Sequence, residues 1–301
     1  MPASEAERAM FTASGGRRWI GDGESLESLM IAASRQALDD AGASPESIDR
    51  VYGYGIVARY QSPNPVFAVH AALGLARRAW VVPVAIDFSA FVTSLALARE
   101  AIEARACERA LVVAGAFLSR HVHPSSGYAV SIGDAATAAV VEAVQRSAAK
   151  GPPRALLLDC AQETRSDLYE AGMISAEPAG QGLFGAPAFR LNPELLGAMR
   201  DHGIEGPVAL ARGLLSRNGV DPARVTLITH QASRVLMGLW ARALGPAAYL
   251  DTYDELGNIS AASVGVTLAL RHREIQTPFV LLLSVGAGMH SAATLLRMPA
   301  R

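Results

Sequence analysis

Ser89 sits in the stretch "IDFSAF", where an apolar run gives way to an amphipathic helix. A serine at a helix start caps free backbone N–H groups, and that is the plain expectation for it. The chemical alternative is a nucleophile. A serine hydroxyl is far less acidic than a thiol and attacks only with a base beside it. His230, in "LITHQAS", is the base this sequence offers, provided the fold brings it within hydrogen-bond reach. Asp87 suits the positive end of the helix dipole and is given no chemical part. Cys107 and Cys160 cannot make a disulfide framework and read as ordinary buried thiols. His121, His123 and His290 lack a third partner at metal-binding spacing, so they are read as surface or pocket-lining residues. Taken singly, His230 would be a core histidine bonded to backbone, and the Gly-Asn pair at Asn258 a turn.

The elements that hold these residues alternate. In the N-terminal half, "AMFTASGG" reads as a short strand ending in a glycine turn, and "DGESLESLMIAASRQALDDAG" as a helix stopping at Gly42. "RVYGYGIV" is a strand, "NPVFAVHAALGL" a helix from Pro65, "AWVVPVAIDF" a buried strand, residues 89–104 a helix, and "ERALVVAGAFL" a strand. "GDAATAAVVEAV" adds small residues and another strand. The second half opens with the strand "RALLLDCAQET", followed by a loop-rich region over residues 164–190 that contains "EPAGQGLFGAP". Then come helix "GPVALARGLLSRNG", strand "VTLITHQ", helices "ASRVLMGLWARALG" and "SAASVGVTLALRHRE", and strand "PFVLLLSVGAGM". Alternating strands and helices predict an α/β fold with mainly parallel sheets. The similar order suggests an internal duplication, with halves 1–150 and 151–301 meeting at the "KGPPRA" turn in one compact unit with two sheets.

With 301 residues, half of them hydrophobic, the chain has ample apolar material for a core. A net charge of −1 with no basic block gives no support to a nucleic-acid or anionic-membrane partner. "MPASEAERAM" lacks the apolar run of a signal peptide. The longest apolar segments are strand-sized, well short of the roughly 20 residues that span a bilayer. A cytoplasmic protein is expected.

Three C-terminal segments, "LITHQASRVLMGLWARALG", "DTYDELGNISAASVGVTLAL" and "VLLLSVGAGMHSAATLLRM", stand in an order that resembles the ketoacyl-acyl-carrier-protein synthase III branch of the thiolase superfamily. That family carries a His-Gln-Ala-Asn stretch, a Gly-Asn-Thr-Ser-Ala-Ala-Ser stretch and a glycine-rich strand turn. In the N-terminal half, "SIGDAATAAVV" is similar to its Gly-Asp-Gly-Ala-Gly-Ala segment, and "SLMIAASRQALDDAGASPESIDRV" to its first long helix. The resemblance covers nearly the whole chain. It implies a thiolase-like αβαβα five-layer fold, usually dimeric, acting without a cofactor on thioesters of coenzyme A (CoA) or acyl carrier protein. In such a site a cysteine acidified by a helix N-terminus takes the acyl group. A histidine and an asparagine donate hydrogen bonds to a thioester oxygen where charge develops.

Carried over residue by residue, His230 and Asn258 fall on that histidine and asparagine, and Gly286, Ala287 and Gly288 on the glycine-rich turn, whose backbone should approach the acyl group. Matching "FVTSLALA" without a gap sets Phe88 on the cysteine and Ser89 on the residue after it; a one-residue shift, needing a deletion inside a helix, would set Ser89 there instead. Arg234 is the candidate for a phosphopantetheine phosphate, against the plainer reading of a solvated helix charge. "TASGGRRWIGDGES" is shorter than the family's nucleotide-holding excursion, although Arg17, Arg18 and Trp19 keep its flavour. Weak CoA binding follows, with a carrier protein or another partner as the donor. Two functions are compatible with these residues. One is an acyltransferase of secondary metabolism using His230 and Asn258, by direct transfer or through Ser89. The other is a catalytically silent subunit paired with a second condensing-enzyme-like chain. Ordinary initiation of fatty-acid synthesis needs the cysteine and is set aside.

Overall fold

The computed structural model describes residues 9–11, 15–60, 62–144, 154–175 and 188–299. Its first sheet orders β2 (Trp80–Pro83), β1 (Arg50–Ile56), β3 (Arg109–Ala116) and β4 (Ala135–Glu142). There β1 is parallel to both neighbours and β4 antiparallel to β3. The second sheet orders β5 (Leu156–Thr164), β11 (His290–Arg297), β10 (Phe279–Gly286), β8 (Val225–Thr229) and β9 (Ala248–Tyr249). Here β8 is parallel to β9 and β10, and β11 antiparallel to β10 and β5. The run β9-β8-β10-β11 matches β2-β1-β3-β4 in neighbour and in direction. The "KGPPRA" turn falls largely outside the described residues, as does all of "EPAGQGLFGAP".

Near-continuous apolar runs form strands buried on both faces, and β3, apolar after Arg109, and β10, apolar but for Ser284, fold that way. Leu111 and Val113 of β3 face one hydrophobic cluster, Val112 and Ala114 the next. In β10, Val280 and Leu282 face that same inner cluster while Leu281 and Leu283 face a third. Helices α1 (Leu26–Ala41) and α2 (Val66–Leu73) cover the outer face of the first sheet. Helix α4 (Leu196–Arg217), backed by α5 (Arg234–Leu244), covers the outer face of the second. Between the sheets lie α3 (Ala90–Glu103) and α7 (Ser263–Arg271). These are the five layers αβαβα. A short helix, α6 (Tyr253–Leu256), precedes Asn258.

Helix α1 ends, as its sequence predicts, on the left-handed Gly42. Elsewhere the structure differs. Ala9 and Met10 are helical, and residues 12–14 of the expected first strand lie outside the described residues. The region read as loop carries β6 (Gly172–Ser175) and β7 (Ala188–Leu191), an antiparallel pair. Helix α4 begins at Leu196, not near Gly206, and holds Pro207 in its interior. A proline there leaves the carbonyl four residues earlier without its donor. That carbonyl belongs to Gly203, and the Trp240 indole N–H donates to it at 2.8 Å. A tertiary partner thus satisfies what the proline removes.

Candidate active site

Ligands of α/β sheets gather beyond the carboxyl ends of parallel strands, and three chain segments meet there. β8 ends at Thr229 and delivers His230, whose backbone N–H donates to Leu283 at 2.8 Å. The imidazole is buried, with Nδ1 3.1 Å from the Val285 carbonyl oxygen and Nε2 3.3 Å from Asn258 Oδ1. Burial pushes its pKa down to about 4, against the opposing pull of these two acceptors. The ring is therefore neutral at pH 7 and has one N–H for two acceptors. With the proton on Nδ1 it donates to Val285, and Nε2 is a base. With the proton on Nε2 it is a hydrogen-bond donor beside Asn258.

Asn258 is held from both halves of the chain. Its Oδ1 accepts from the Ser260 N–H at 2.9 Å, which orients the amide, and its Nδ2 donates to Ala232 at 3.4 Å. Its backbone N–H donates to Ser131 at 2.7 Å, and its carbonyl accepts from the Gly133 N–H at 3.0 Å, in the segment leading into β4.

Phe88 and Ser89 lie in a single turn, Asp87–Ser89, ahead of α3. The Phe88 ring stacks on His230, centroids 5.5 Å apart and planes 28° apart. Phe189 of β7 meets Phe88 edge-on at 5.6 Å. Ser89 is buried, and its hydroxyl donates back to the Ile86 carbonyl at 3.1 Å. It makes no side-chain cap on α3, contrary to expectation, because the preceding turn directs the hydroxyl at that carbonyl. The third segment is the turn after β10. A Cβ on Gly286 would stand 2.9 Å from Ser89 Oγ and 3.0 Å from the Ile86 oxygen, so this turn rests directly on the Phe88 segment. Ala287 follows, and Gly288 is left-handed at φ +70°. Asp87, Ser260 and Met289, one in each segment around the pair, also have positive φ. Strained backbone of this kind persists where the surroundings over-determine it.

The other sequence candidates lie elsewhere or are already engaged. Arg234 pairs with Asp251 at 2.9 Å and Asp254 at 2.5 Å and lies 4.8 Å over the Tyr253 ring. Its charge is matched by these two carboxylates while the side chain stays partly exposed to solvent. His290 is buried, not on the surface, because β11 places its ring between the Thr93 and Thr164 hydroxyls at 3.4 and 2.9 Å. His123 is exposed beside Ser125, and His121 packs on Phe117. Cys107 precedes β3, at the end of the sheet away from His230, and burial pushes its thiol up to about 11. Cys160 sits within β5, 3.5 Å from the Thr294 hydroxyl, its pKa also raised by burial. Arg17 donates to Ala129 and stacks on Trp19, whose indole N–H donates to Ile132, the bridge partner of Asn258. The retained "GRRW" stretch therefore adjoins the site. Phe189 had no signal in sequence, since its contact arises only through the β6–β7 pair.

Family models settle the lineage. The model for 3-oxoacyl-(acyl-carrier-protein) synthase III matches residues 85–151, and the model for its C-terminal part matches residues 215–298, together half of the chain. The chain belongs to this synthase III family. A β-ketoacyl-(acyl-carrier-protein) synthase III from Roseobacter denitrificans is 28% identical over 292 residues, covering 93% of this chain and 86% of the relative. The crystal structure of 3-oxoacyl-(acyl carrier protein) synthase III from Pseudomonas aeruginosa superposes with a TM-score of 0.82 at 24% identity, covering 99% of this chain and 90% of that one. The priming β-ketosynthase of the R1128 polyketide biosynthetic pathway gives 0.80 at 22% identity, covering 95% and 86%. Among the described residues no group of three or more His, Cys, Asp or Glu side chains is placed to hold a metal ion. No described helix is long and apolar enough to cross a membrane.

Proposed function

We propose that this synthase III family member is a cytoplasmic acyltransferase of secondary metabolism that moves an acyl group from a carrier-protein or CoA thioester to an acceptor without a cysteine nucleophile. The observation that carries the reading is the pairing of a buried, neutral His230 imidazole with Asn258, Nε2 3.3 Å from Oδ1. The ungapped sequence match sets Phe88 on the family's cysteine. His230 Nε2 takes the proton of the acceptor as its heteroatom attacks the thioester carbonyl carbon. The Asn258 amide N–H that is not given to Ala232 donates to the oxygen on which negative charge develops. Collapse of that intermediate breaks the carbon–sulfur bond, and the leaving thiolate recovers the proton from His230. Ser89 is the weaker route, since its hydroxyl donates to Ile86. The polyketide priming synthase among the structural relatives supports a biosynthetic setting, and the carrier protein in the relatives' names supports a carrier-protein substrate. The active form is a homodimer in this reading.

A second reading, a silent subunit in a heterodimer with a condensing-enzyme-like chain, is favoured by two observations. Phe88 covers His230, and the Arg234 charge is matched internally. Incubating the purified protein with acyl-carrier-protein and acyl-CoA donors, followed by intact mass and thiol release, separates the two. Turnover without a protein adduct, abolished in His230→Ala, supports direct transfer. An adduct lost in Ser89→Ala moves the chemistry to the serine. Absence of turnover until a second synthase-like chain is added overturns the acyltransferase reading.

A further inference from the structure

Gln231 follows His230 and is fully buried, and both ends of its amide are engaged inside the fold. Its Nε2 donates to the Gly257 carbonyl at 2.6 Å. Its Oε1 accepts from the Thr252 backbone N–H at 2.6 Å, from the Thr252 hydroxyl at 3.0 Å and from the Thr267 hydroxyl at 3.4 Å. The Thr252 and Thr267 hydroxyl oxygens lie 3.0 Å apart, so the Thr267 proton is shared between Gln231 Oε1 and Thr252. These partners have one thing in common. Gly257 immediately precedes Asn258, Thr252 leads into the short helix before it, and Thr267 lies on the helix after it. Gly257 has a positive φ of +74°, and among the described residues Gln231 is the side chain that holds its carbonyl. A buried network of mutual hydrogen bonds of this kind rigidifies the groups it joins.

We propose that Gln231 is a positioning residue, which sets the 3.3 Å separation of His230 and Asn258 by clamping the chain on both sides of Asn258 to the turn that carries His230. It touches no reacting atom and acts only through Asn258. Gln231→Met keeps the length and removes every hydrogen bond, so Gly257 and Thr252 are released and the Asn258 amide moves. Misplacement by about 1 Å lowers a rate by about 100-fold.

The kinetic test rests on the acyl-transfer reading, with acetyl-CoA as the probe and thiol release as the signal. Gln231→Met is expected to lower kcat about 10- to 100-fold while KM stays within about twofold. In the Asn258→Ala background the same change is expected to shift kcat by less than about twofold. An equal loss in both backgrounds, or a change in KM alone, overturns the proposal. Should Gln231→Met fail to fold, Gln231→Glu serves. Burial raises the pKa of such a carboxyl, and its protonated form both donates to Gly257 and accepts from Thr252. Its kcat relative to the unmodified protein should approach one at pH 5.5 and fall by pH 8.5; a flat ratio overturns the proposal. If the unmodified protein releases no thiol from acetyl-CoA or from an acetyl-carrier-protein donor, the acyl-transfer reading fails but the positioning claim does not. It is then read from the side-chain amide resonances of Asn258, which must shift in the Gln231 variants and would refute the clamp by staying in place.

Discussion

Gly286→Ala tests how tightly the glycine turn is set against the Phe88 segment. Gly286 does not have a positive φ, so alanine brings no backbone penalty, and its whole effect comes from the added methyl. That methyl would lie 2.9 Å from Ser89 Oγ and 3.0 Å from the Ile86 oxygen, well inside an ordinary contact of about 3.5–4.0 Å. Overpacking of this kind costs about 1–3 kcal/mol. Ser89→Ala loses the 3.1 Å bond to Ile86, worth about 1 kcal/mol, but also removes the nearer of the two clashing atoms. The double variant should therefore be no less stable than Gly286→Ala alone, giving about 1 kcal/mol of favourable coupling. Urea denaturation of the four proteins measures it, with the midpoint of Gly286→Ala falling by roughly 0.5–1 M. Strict additivity, or an unchanged midpoint for Gly286→Ala, would refute the close packing of these segments.

The remaining predictions concern protons, a carbonyl and the nucleophile. His230 ionises near 6.5 when unfolded and only near 4 when folded. Between those values the unfolded chain binds the proton first, so stability falls as pH drops from 6.5 to 4, by about 3 kcal/mol for this group. His290, also depressed by burial, acts in the same direction. Urea midpoints at pH 7 and pH 4.5 should differ more for the unmodified protein than for His230→Gln, and equal slopes would refute the assignment. Trp240→Phe should cost about 1–3 kcal/mol by stranding the Gly203 carbonyl. Adding Pro207→Ala should recover part of that by restoring a helical donor, again read by denaturation. Phe88→Cys places a thiol against a helix N-terminus beside His230, and an acyl adduct on exposure to acyl-CoA is expected by intact mass. Failure of a folded Phe88→Cys protein to acylate would detach position 88 from the chemistry.

Much of the molecule was legible in sequence because it obeys local rules. The apolar runs of β3 and β10 became strands buried on both faces, whereas the run expected as a buried strand at 79–88 gives β2, a sheet-edge strand with Trp80 exposed. The histidine and asparagine of two short motifs met across 3.3 Å. What escaped depended on partners distant in sequence. Pro207 reads as a helix start until Trp240 supplies the missing donor. Arg234 reads as a free cation until Asp251 and Asp254 fold beside it. Ser89 reads as a cap because capping is the local default, and only the turn geometry at Asp87 and Phe88 sends its hydroxyl to Ile86. His290 gave no hint of burial, since the threonines that flank its ring lie on α3 and β5.

The two backbone hydrogen bonds between Asn258 and the Ser131–Gly133 segment make the amides of Asn258 and Gly133 sentinels of the whole assembly. They belong to chain segments from opposite halves of the sequence, so neither amide can exchange with solvent unless those segments part. Any fluctuation that slides one sheet past the other reaches Asn258 before it disturbs the interior of either sheet. Deuterium uptake at these two positions should therefore rise together, ahead of β3 and β10.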